Sequence, residues 1–315
     1  MKANIIEDFL CINENGLYCA YGDFYLDAKR PVRQVVVSHG HGDHVVAGCH
    51  QVWCTGATRS FMEHRFRKNA GYHFHIMPYG VSFDIQDVSV TLLPAGHILG
   101  SAMVLMEYRG LRYLYTGDYK LQADPTCEPI QLVKADVLIT ESTFADPAVV
   151  HPDPIAEISK LNETDYPILL GAYALGKAQR LTALINQYCP VKRVFIHHAI
   201  MPFHKLYEAS GVEMLCYLPY ARKVMKDNPE HAVYIVPPLT FNSYAHAKNI
   251  IRVFASGWKN LQVGKQMSLF ISDHVDWQDI LYTVATVEPQ EIWTLHGDGR
   301  ALRDHYLGNI TVKLL

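Results

Sequence analysis

The sequence predicts a mixed α/β protein of two domains. Apolar runs of strand length recur along the chain and end in short loops that carry histidine, aspartate and glycine. A strand–turn–helix pattern occupies residues 167–185, with its helix expected from Lys177 to Ile185, and a further helix is expected from Asp276. The 315 residues suffice for a large core and for more than one domain.

The first strand end carries a dense group of metal-ligating side chains. The apolar residues 35–37 are followed closely by three histidines and an aspartate: His39, His41, Asp43 and His44. Gly40 and Gly42 let the backbone turn tightly between them. Imidazole suits zinc and related metals, and a carboxylate can serve a neighbouring cation, so the group can divide between two ions. Two cations about 3.5–4 Å apart can share a hydroxide that attacks an electrophile. The pattern therefore predicts two-metal hydrolase chemistry.

Three later strand ends offer the remaining ligands. His97 follows an alternating run that begins at residue 88, Asp118 closes the return arm of a hairpin that turns at residues 109–110, and His296 ends residues 292–295. Open α/β sheets place their chemistry at the carboxyl ends of strands, so we expect these three side chains to join the first group.

A second α/β unit is predicted in the middle of the chain, with limits of 1–155 and 263–315 for the first domain and 156–262 for the insert. The turn between Gly171 and Gly176 can present backbone N–H groups, Lys177 and Arg180 to a phosphate. Near Val263 the chain is expected to return to the first domain, where residues 267–271 lead to His274. We expect the active site in the cleft between the two domains.

Charge is distributed unevenly along the chain. The formal net charge is −3, but the stretch from Tyr166 to Lys265 holds twelve lysines and arginines against four acidic residues, a net charge of +8, and the rest carries −11. Bound divalent ions would offset part of that negative charge. A cationic insert beside a cationic centre favours a polyphosphate substrate.

Composition predicts a soluble cytoplasmic protein. No apolar segment is long enough to span a bilayer, and residues 1–4 show no signal-peptide pattern. The seven cysteines are scattered and form no Cys-x-x-Cys pair, which argues against a disulfide framework or a cysteine-zinc knuckle.

The order of the ligands resembles the metal motif of the metallo-β-lactamase fold. The resemblance implies an αββα sandwich with two divalent ions, Zn²⁺ first and Mn²⁺ as the alternative. It places His39, His41 and His97 on one ion. It places Asp43, His44 and His296 on the other, with Asp118 bridging the two.

Further segments resemble the β-CASP nucleases, the branch of that fold that includes Artemis and the pre-mRNA cleavage endonuclease. They are residues 141–144, 272–274 and 295–297. Residues 16–19, 22–25, 172–180, 254–258 and 272–277 are similar to the bacterial ligase-associated exonucleases, so the resemblance covers nearly the whole chain. It implies an inserted α/β β-CASP domain.

A departing sugar oxygen needs a proton, and a histidine held by a carboxylate is a suitable donor. We predict His274 in this role, oriented by Glu141, with Asp43 as a third catalytic residue. The predicted substrate-binding residues are Gly176, Lys177, Arg180 and Ser272. His73 and His75 share a strand face without accompanying carboxylates and are interpreted as structural. His197 and His198 are candidates for substrate contact.

The resemblance implies an exonuclease on single-stranded DNA ends that acts in repair alongside a ligase and a helicase. RNA is the alternative, because His296 and Glu141 match the RNA-cleaving members, whereas Artemis-like DNA nucleases usually have an apolar residue at the last motif. Two other classes stay open: a small-molecule hydrolase of the same fold, which would not need the cationic insert, and a metal-free binding subunit.

Overall fold

The computed structural model describes residues 4–221, 223, 230–262 and 267–315, which divide into two compact units. The first contains the chain up to Ala123 together with Cys127–Val150 and His274–Leu315, and the second contains Asp124–Thr126 and His151–Asp273. The sequence predicts limits of 156 and 262 for the insert, and the return near Val263 lies outside the described residues. The second unit extends to Asp273 because Leu269 and Ile271 belong to its apolar core.

The first unit begins with a six-stranded sheet whose strands lie in chain order. They are β1 (Leu10–Asn13), β2 (Gly16–Cys19), β3 (Phe24–Leu26), β4 (Gln34–Val36), β5 (Gln51–Cys54) and β6 (His73–Ile76). β1 to β3 pair antiparallel and β3 to β6 pair parallel. Helix α1 (Gly56–Phe66) connects β5 to β6, and its Met62 shares an apolar cluster with Val35 and Val52.

A seven-stranded sheet forms the second layer of strands in the same unit. Its strands are β7 (Ser82–Ile85), β8 (Val88–Pro94), β9 (Ala102–Tyr108), β10 (Leu111–Tyr115), β11 (Val137–Glu141), β17 (Glu291–Leu295) and β18 (Thr311–Leu314). The order is β18-β17-β11-β10-β9-β8-β7. β7 to β10 pair antiparallel, whereas β11 pairs parallel with both β10 and β17.

The layers of the first unit follow from strand alternation, because successive side chains point to opposite faces. Leu26 and Val36 of the first sheet share one core with Val104 and Trp293 of the second. The other face of the second sheet packs on helix α6 (Trp277–Val287), and α7 (Arg300–His305) adds Leu302 to that cluster. The result is the helix–sheet–sheet–helix sandwich that the resemblance implies.

The second unit is built on a five-stranded sheet in which every pairing is parallel. Its strands are β12 (Ile168–Gly171), β13 (Arg193–Ile196), β14 (Leu218–Pro219), β15 (Ala232–Val236) and β16 (Ile251–Phe254), in the order β14-β13-β15-β12-β16. Its helices are α2 (Pro154–Ser159), α3 (Lys177–Tyr188), α4 (Met201–Ala209) and α5 (Pro238–Ser243). Side chains of α2 and α3 cover one face of the sheet, and Phe241 of α5 belongs to the cluster on the other.

The described helices are short. The longest, α3, has 12 residues. In the part of the chain that the structure describes, no helix has the length and apolar character needed to cross a bilayer.

Candidate active site

His39 is fixed at the end of β4 by the packing of the first sheet. Val35 and Val36 are buried on opposite faces, and His39 follows with no exposed surface. At Gly40 an added Cβ would lie 2.9 Å from the Phe61 side chain, so the turn depends on the missing side chain. The turn brings the rings of His41 and His44 to 4.8 and 4.1 Å from that of His39, measured between centroids.

Four of the predicted ligands converge from three strand ends: His39, His41, His97 and Asp118. Nδ1 of His41 lies 3.1 Å from Nε2 of His39 and 3.0 Å from Nε2 of His97. Oδ2 of Asp118 lies 3.7 Å from Nε2 of His39 and 3.8 Å from Nε2 of His97. The ligand atoms of all four lie within 4.8 Å of one another. The predicted three-histidine group is therefore assembled together with the predicted bridging carboxylate.

This donor set fits a divalent transition metal. Ligand atoms that surround a tetrahedral ion at about 2.0–2.1 Å stand about 3.3 Å apart. The four separations given above, from 3.0 to 3.8 Å, lie on either side of that value, and every pair lies within 4.8 Å. Imidazole and carboxylate are also the ligand types that Zn²⁺ and Mn²⁺ accept.

The second predicted ligand group is more open. Nε2 of His44 lies 3.4 Å from Oδ2 of Asp118 and 3.8 Å from Oδ2 of Asp43, whose side chain is 76% exposed. The ring of His296 lies 5.1 Å from that of His44, measured between centroids, and His296 is also exposed. Asp118 thus has the group of three histidines (His39, His41 and His97) on one side and His44 on another. Asp43 and His296 stand at the exposed margin.

Asp27 is a buried carboxylate that the sequence analysis did not identify. It accepts hydrogen bonds from the Ser38 backbone N–H at 2.7 Å, from the Ser38 hydroxyl at 2.5 Å and from the Tyr115 hydroxyl at 2.9 Å. Its Oδ2 also lies 2.7 Å from Nδ1 of His44. A carboxylate on the second nitrogen of a ligand histidine fixes the tautomer and the ring orientation. The sequence feature that could have indicated Asp27 is its position at the end of strand β3, since Asp118 likewise follows the end of β10.

The pKa values of the neighbouring imidazoles of His39 and His44 are shifted in opposite directions. Burial, with the adjacent His44 and His97, holds the pKa of His39 well below its usual range. Burial also opposes protonation of His44, but the carboxylates of Asp118 and Asp27 outweigh it, so the pKa of His44 lies well above its usual range. Burial disfavours ionisation of Asp118, yet His44 and His274 hold its pKa well below the usual range. His39 is therefore ready to bind an ion, whereas His44 must release a proton to do so.

Glu141 and His274 form the predicted pair. Glu141 ends β11, its side chain has no exposed surface, and it accepts a hydrogen bond from the Tyr119 backbone N–H at 3.0 Å. Its other oxygen lies 2.8 Å from Nδ1 of His274. The same nitrogen is 4.0 Å from Oδ2 of Asp118, and the His274 side chain is 27% exposed. A rigid carboxylate therefore holds a partly exposed imidazole beside the ligand group.

The four predicted substrate-binding residues all lie in the second unit and are buried. Lys177 donates to the Ile271 carbonyl at 2.6 Å and pairs with Asp273 at 3.1 Å. Arg180 donates to the Ser272 carbonyl at 2.6 Å, pairs with Asp273 at 3.1 Å, and has its Nε 3.6 Å from Asp124. The Gly176 N–H donates to the Gln179 side chain at 2.7 Å. Phosphate binding by these residues stays a prediction, and the contacts that the structure describes are internal.

The remaining histidines of the sequence analysis lie on β6 and directly after β13. His73 and His75 are on β6, where His75 stacks on Trp53 with ring centroids 4.6 Å apart. Neither belongs to a metal-ligand group found among the described residues. His197 and His198 follow β13, with their rings 4.0 Å apart.

Sequence comparison identifies relatives of this chain among nucleic-acid enzymes. Residues 23–171 match the β-lactamase superfamily domain. A probable DNA ligase of Opitutus terrae is 32% identical over 303 residues, which cover 90% of this chain and 28% of the ligase. Endoribonuclease ysh-1 of Neurospora crassa is 34% identical over 161 residues, which cover 48% of this chain and 18% of that protein. The chain thus spans less than a third of the length of either relative.

Structural comparison supports the fold. A crystal structure of a protein of unknown function from Enterococcus faecalis V583 matches with a TM-score of 0.59 at 14% identity, covering 89% of this chain and 78% of the other. At this identity the likeness concerns the fold alone.

Proposed function

Because residues 23–171 match the β-lactamase superfamily domain and the relatives include a probable DNA ligase and an endoribonuclease, we propose that the chain is a metal-dependent nuclease of the metallo-β-lactamase fold that hydrolyses phosphodiester bonds. The observation that carries this proposal is the Glu141–His274 pair, 2.8 Å apart, with Nδ1 of His274 4.0 Å from the central carboxylate Asp118. A histidine held by a carboxylate beside a metal-ligand group can supply an acid next to the point where the nucleophile is generated.

Each residue group has a separate task in this proposal. His39, His41, His97 and Asp118 would hold one divalent ion, and Asp118, His44, Asp43 and His296 would hold the second. Bound ions of this type lower the pKa of water and stabilise the negative charge that develops on phosphate oxygens. Asp27 keeps His44 oriented toward Asp118.

His274 donates the proton that the departing sugar oxygen requires. Glu141 accepts the hydrogen bond of the Nδ1–H group and stabilises the imidazolium, so the proton to be transferred stands on Nε2. Because Glu141 is also held by the Tyr119 N–H group, the imidazole keeps its orientation while the proton leaves. After transfer, the neutral ring can be protonated again from solvent through its exposed side.

DNA is the first candidate for the polymer. The relative that covers 90% of this chain is named a probable DNA ligase, which is consistent with an exonuclease that trims single-stranded ends during repair, alongside a ligase and a helicase. RNA is the second candidate, because His296 lies beside His44 and another relative is named an endoribonuclease. A small-molecule hydrolase would share the metal ligands but would show no preference for a polymer.

The test is cleavage of matched, end-labelled single-stranded DNA and RNA with Zn²⁺ or Mn²⁺, and after removal of metal with a chelator. We expect metal-dependent cleavage of DNA, with product lengths that report the polarity. Faster cleavage of RNA would favour the alternative polymer. Turnover of a thioester or a lactam without cleavage of either strand would overturn the nuclease proposal.

A further inference from the structure

The carboxyl edge of the sheet in the second unit carries a row of aromatic and imidazole side chains. Because all pairings are parallel, the five strands end at the same edge. Four strands are followed within four residues by such a side chain, in the spatial order Tyr220, His197, Tyr173 and Trp258. The central strand β15 is followed instead by Leu239, which is 86% exposed. We call these five residues the edge row.

Three side chains of the edge row, those of Tyr173, Leu239 and Trp258, are exposed, whereas Tyr220 is half-buried and His197 is buried. Tyr173 is 51% exposed and Trp258 is 46% exposed, although large aromatic side chains gain most from burial. The three exposed side chains follow the adjacent strands β15, β12 and β16, and neighbouring strands stand about 4.8 Å apart, so the exposed part of the row extends for about 10 Å. An exposed apolar surface of this extent on a parallel-sheet edge, where α/β folds bind ligands, indicates an interaction site.

Ring contacts and a hydrogen bond hold side chains of the edge row in place. The ring of Tyr173 meets that of Phe254 edge-on at 6.3 Å, and Phe254 packs on Phe241 at 5.3 Å. At the other end, Tyr220 shares a hydrogen bond of 2.9 Å with Tyr244 and lies 6.1 Å from the His197 ring. These contacts hold the rings in place, so a ligand that stacks on them loses little further side-chain entropy.

Charge indicates the kind of ligand. The row lies in the stretch between Tyr166 and Lys265, whose net charge is +8 although Lys177 and Arg180 are buried and paired with Asp273, and the exposed Lys259 directly follows Trp258. A row of π-faces in a cationic segment matches the chemistry of single-stranded nucleic acid, in which stacking holds the bases and cations attract the backbone.

We propose that the edge row binds single-stranded nucleic acid by stacking on its unpaired bases. This inference rests on the proposed function for the identity of the polymer, and it assigns base contacts to a surface of the second unit. The bases are recognised by their faces, so the row is expected to tolerate different sequences.

The test measures binding of fluorescent single-stranded oligonucleotides to metal-free protein by anisotropy, so that cleavage does not interfere. Tyr173→Ala and Trp258→Ala are each expected to raise Kd by between about fivefold and a hundredfold, the equivalent of the stacking contribution of one base. Tyr166→Ala is the matched control, because Tyr166 is 62% exposed but precedes β12 at the opposite edge of the same sheet. Its Kd should equal that of the wild type.

An oligonucleotide of abasic sites provides the second arm. The wild type should bind it weakly, and neither Tyr173→Ala nor Trp258→Ala should weaken that binding further. Unchanged Kd values in both variants, or an equal loss in Tyr166→Ala, would overturn the edge row as a base-binding surface. Failure of the proposed function would be seen separately, as absence of phosphodiester cleavage by the wild type with metal.

Discussion

At the scale of single residues, two buried cations of α3 hold the segment of chain that leads to His274. Lys177 and Arg180 bind the carbonyls of Ile271 and Ser272 and share the carboxylate of Asp273. A buried cation whose partner is removed leaves an uncompensated charge, so such a network tolerates loss of one member poorly. We infer that both residues act by fixing this segment, whereas the sequence alone predicts contact with a phosphate.

The variant Arg180→Gln distinguishes a role in fixing residues 271–273 from a role in phosphate contact. Loss of the guanidinium leaves buried carboxylates without their partner, so we expect the free energy of unfolding to fall by about 3–5 kcal/mol in urea titrations. Lys205→Gln is the control, because the Lys205–Glu208 pair is exposed and should contribute at most about 1 kcal/mol. A variant that unfolds like the wild type, but whose nucleic-acid binding has a salt dependence reduced by about one phosphate contact, would support substrate contact instead.

A site residue can be predicted when the residues next to it in the sequence indicate its role. His39, His97 and Asp118 could be identified because each lies three residues after the end of an apolar strand, and the structure brings them within reach of one ion. Asp27 also follows a strand, β3, but the sequence analysis did not identify it. The partners of Arg180 could not be predicted, since Asp273 is 93 residues away along the chain.

At the scale of elements, α3 and α4 are joined by a buried imidazole. His204 of α4 lies 3.0 Å from the Gln179 amide through Nδ1 and 3.0 Å from the Thr182 hydroxyl through Nε2. Burial lowers the pKa of His204 to about 4. The folded state therefore binds fewer protons here than the unfolded state between the two pKa values, and stability rises with pH across that interval.

We expect acid to weaken the second unit through this residue. As pH falls from about 6.5 to about 4, the His204 contribution should cost about 3 kcal/mol of unfolding free energy. His204→Gln cannot take up the proton, so its unfolding free energy should change less with pH over this range than that of the wild type. His246→Gln, at an exposed position of the same unit, should follow the wild type. Equal pH dependence in His204→Gln and the wild type would contradict this assignment.

Elements with strong local signals are predicted well. The helix expected to begin at Lys177 does so, with Gly176 as its N-cap at a φ of 83°, and the helix expected from Asp276 begins at Trp277 with Asp276 as its N-cap. The limits of the inserted unit depend on contacts between residues that are distant in the sequence. The segment that carries Leu269 and Ile271 is apolar in either unit, and only tertiary packing assigns it to the second core.

At the scale of the whole molecule, chemistry and charge are carried by different parts of the sequence. The ligand groups and the Glu141–His274 pair belong to the first unit, whereas the cationic stretch and the edge row belong to the second. We propose that the first unit supplies the metal-ligand groups and that the second unit supplies the features that suit a polymeric substrate. We propose that the first unit performs metal-dependent phosphodiester hydrolysis with His274 as the acid.

The most direct measurement compares metal content and phosphodiester turnover in the same preparations of wild type and His274→Ala. We predict equal metal content, because His39, His41, His97 and Asp118 form a complete ligand group without His274, although His274 also lies beside Asp118 and Glu141. We predict a loss of turnover of about 10²- to 10⁴-fold, because the departing oxygen lacks its proton donor. His274→Ala that is replete with metal and fully active would contradict the account, as would a metal-replete wild type that cleaves no phosphodiester.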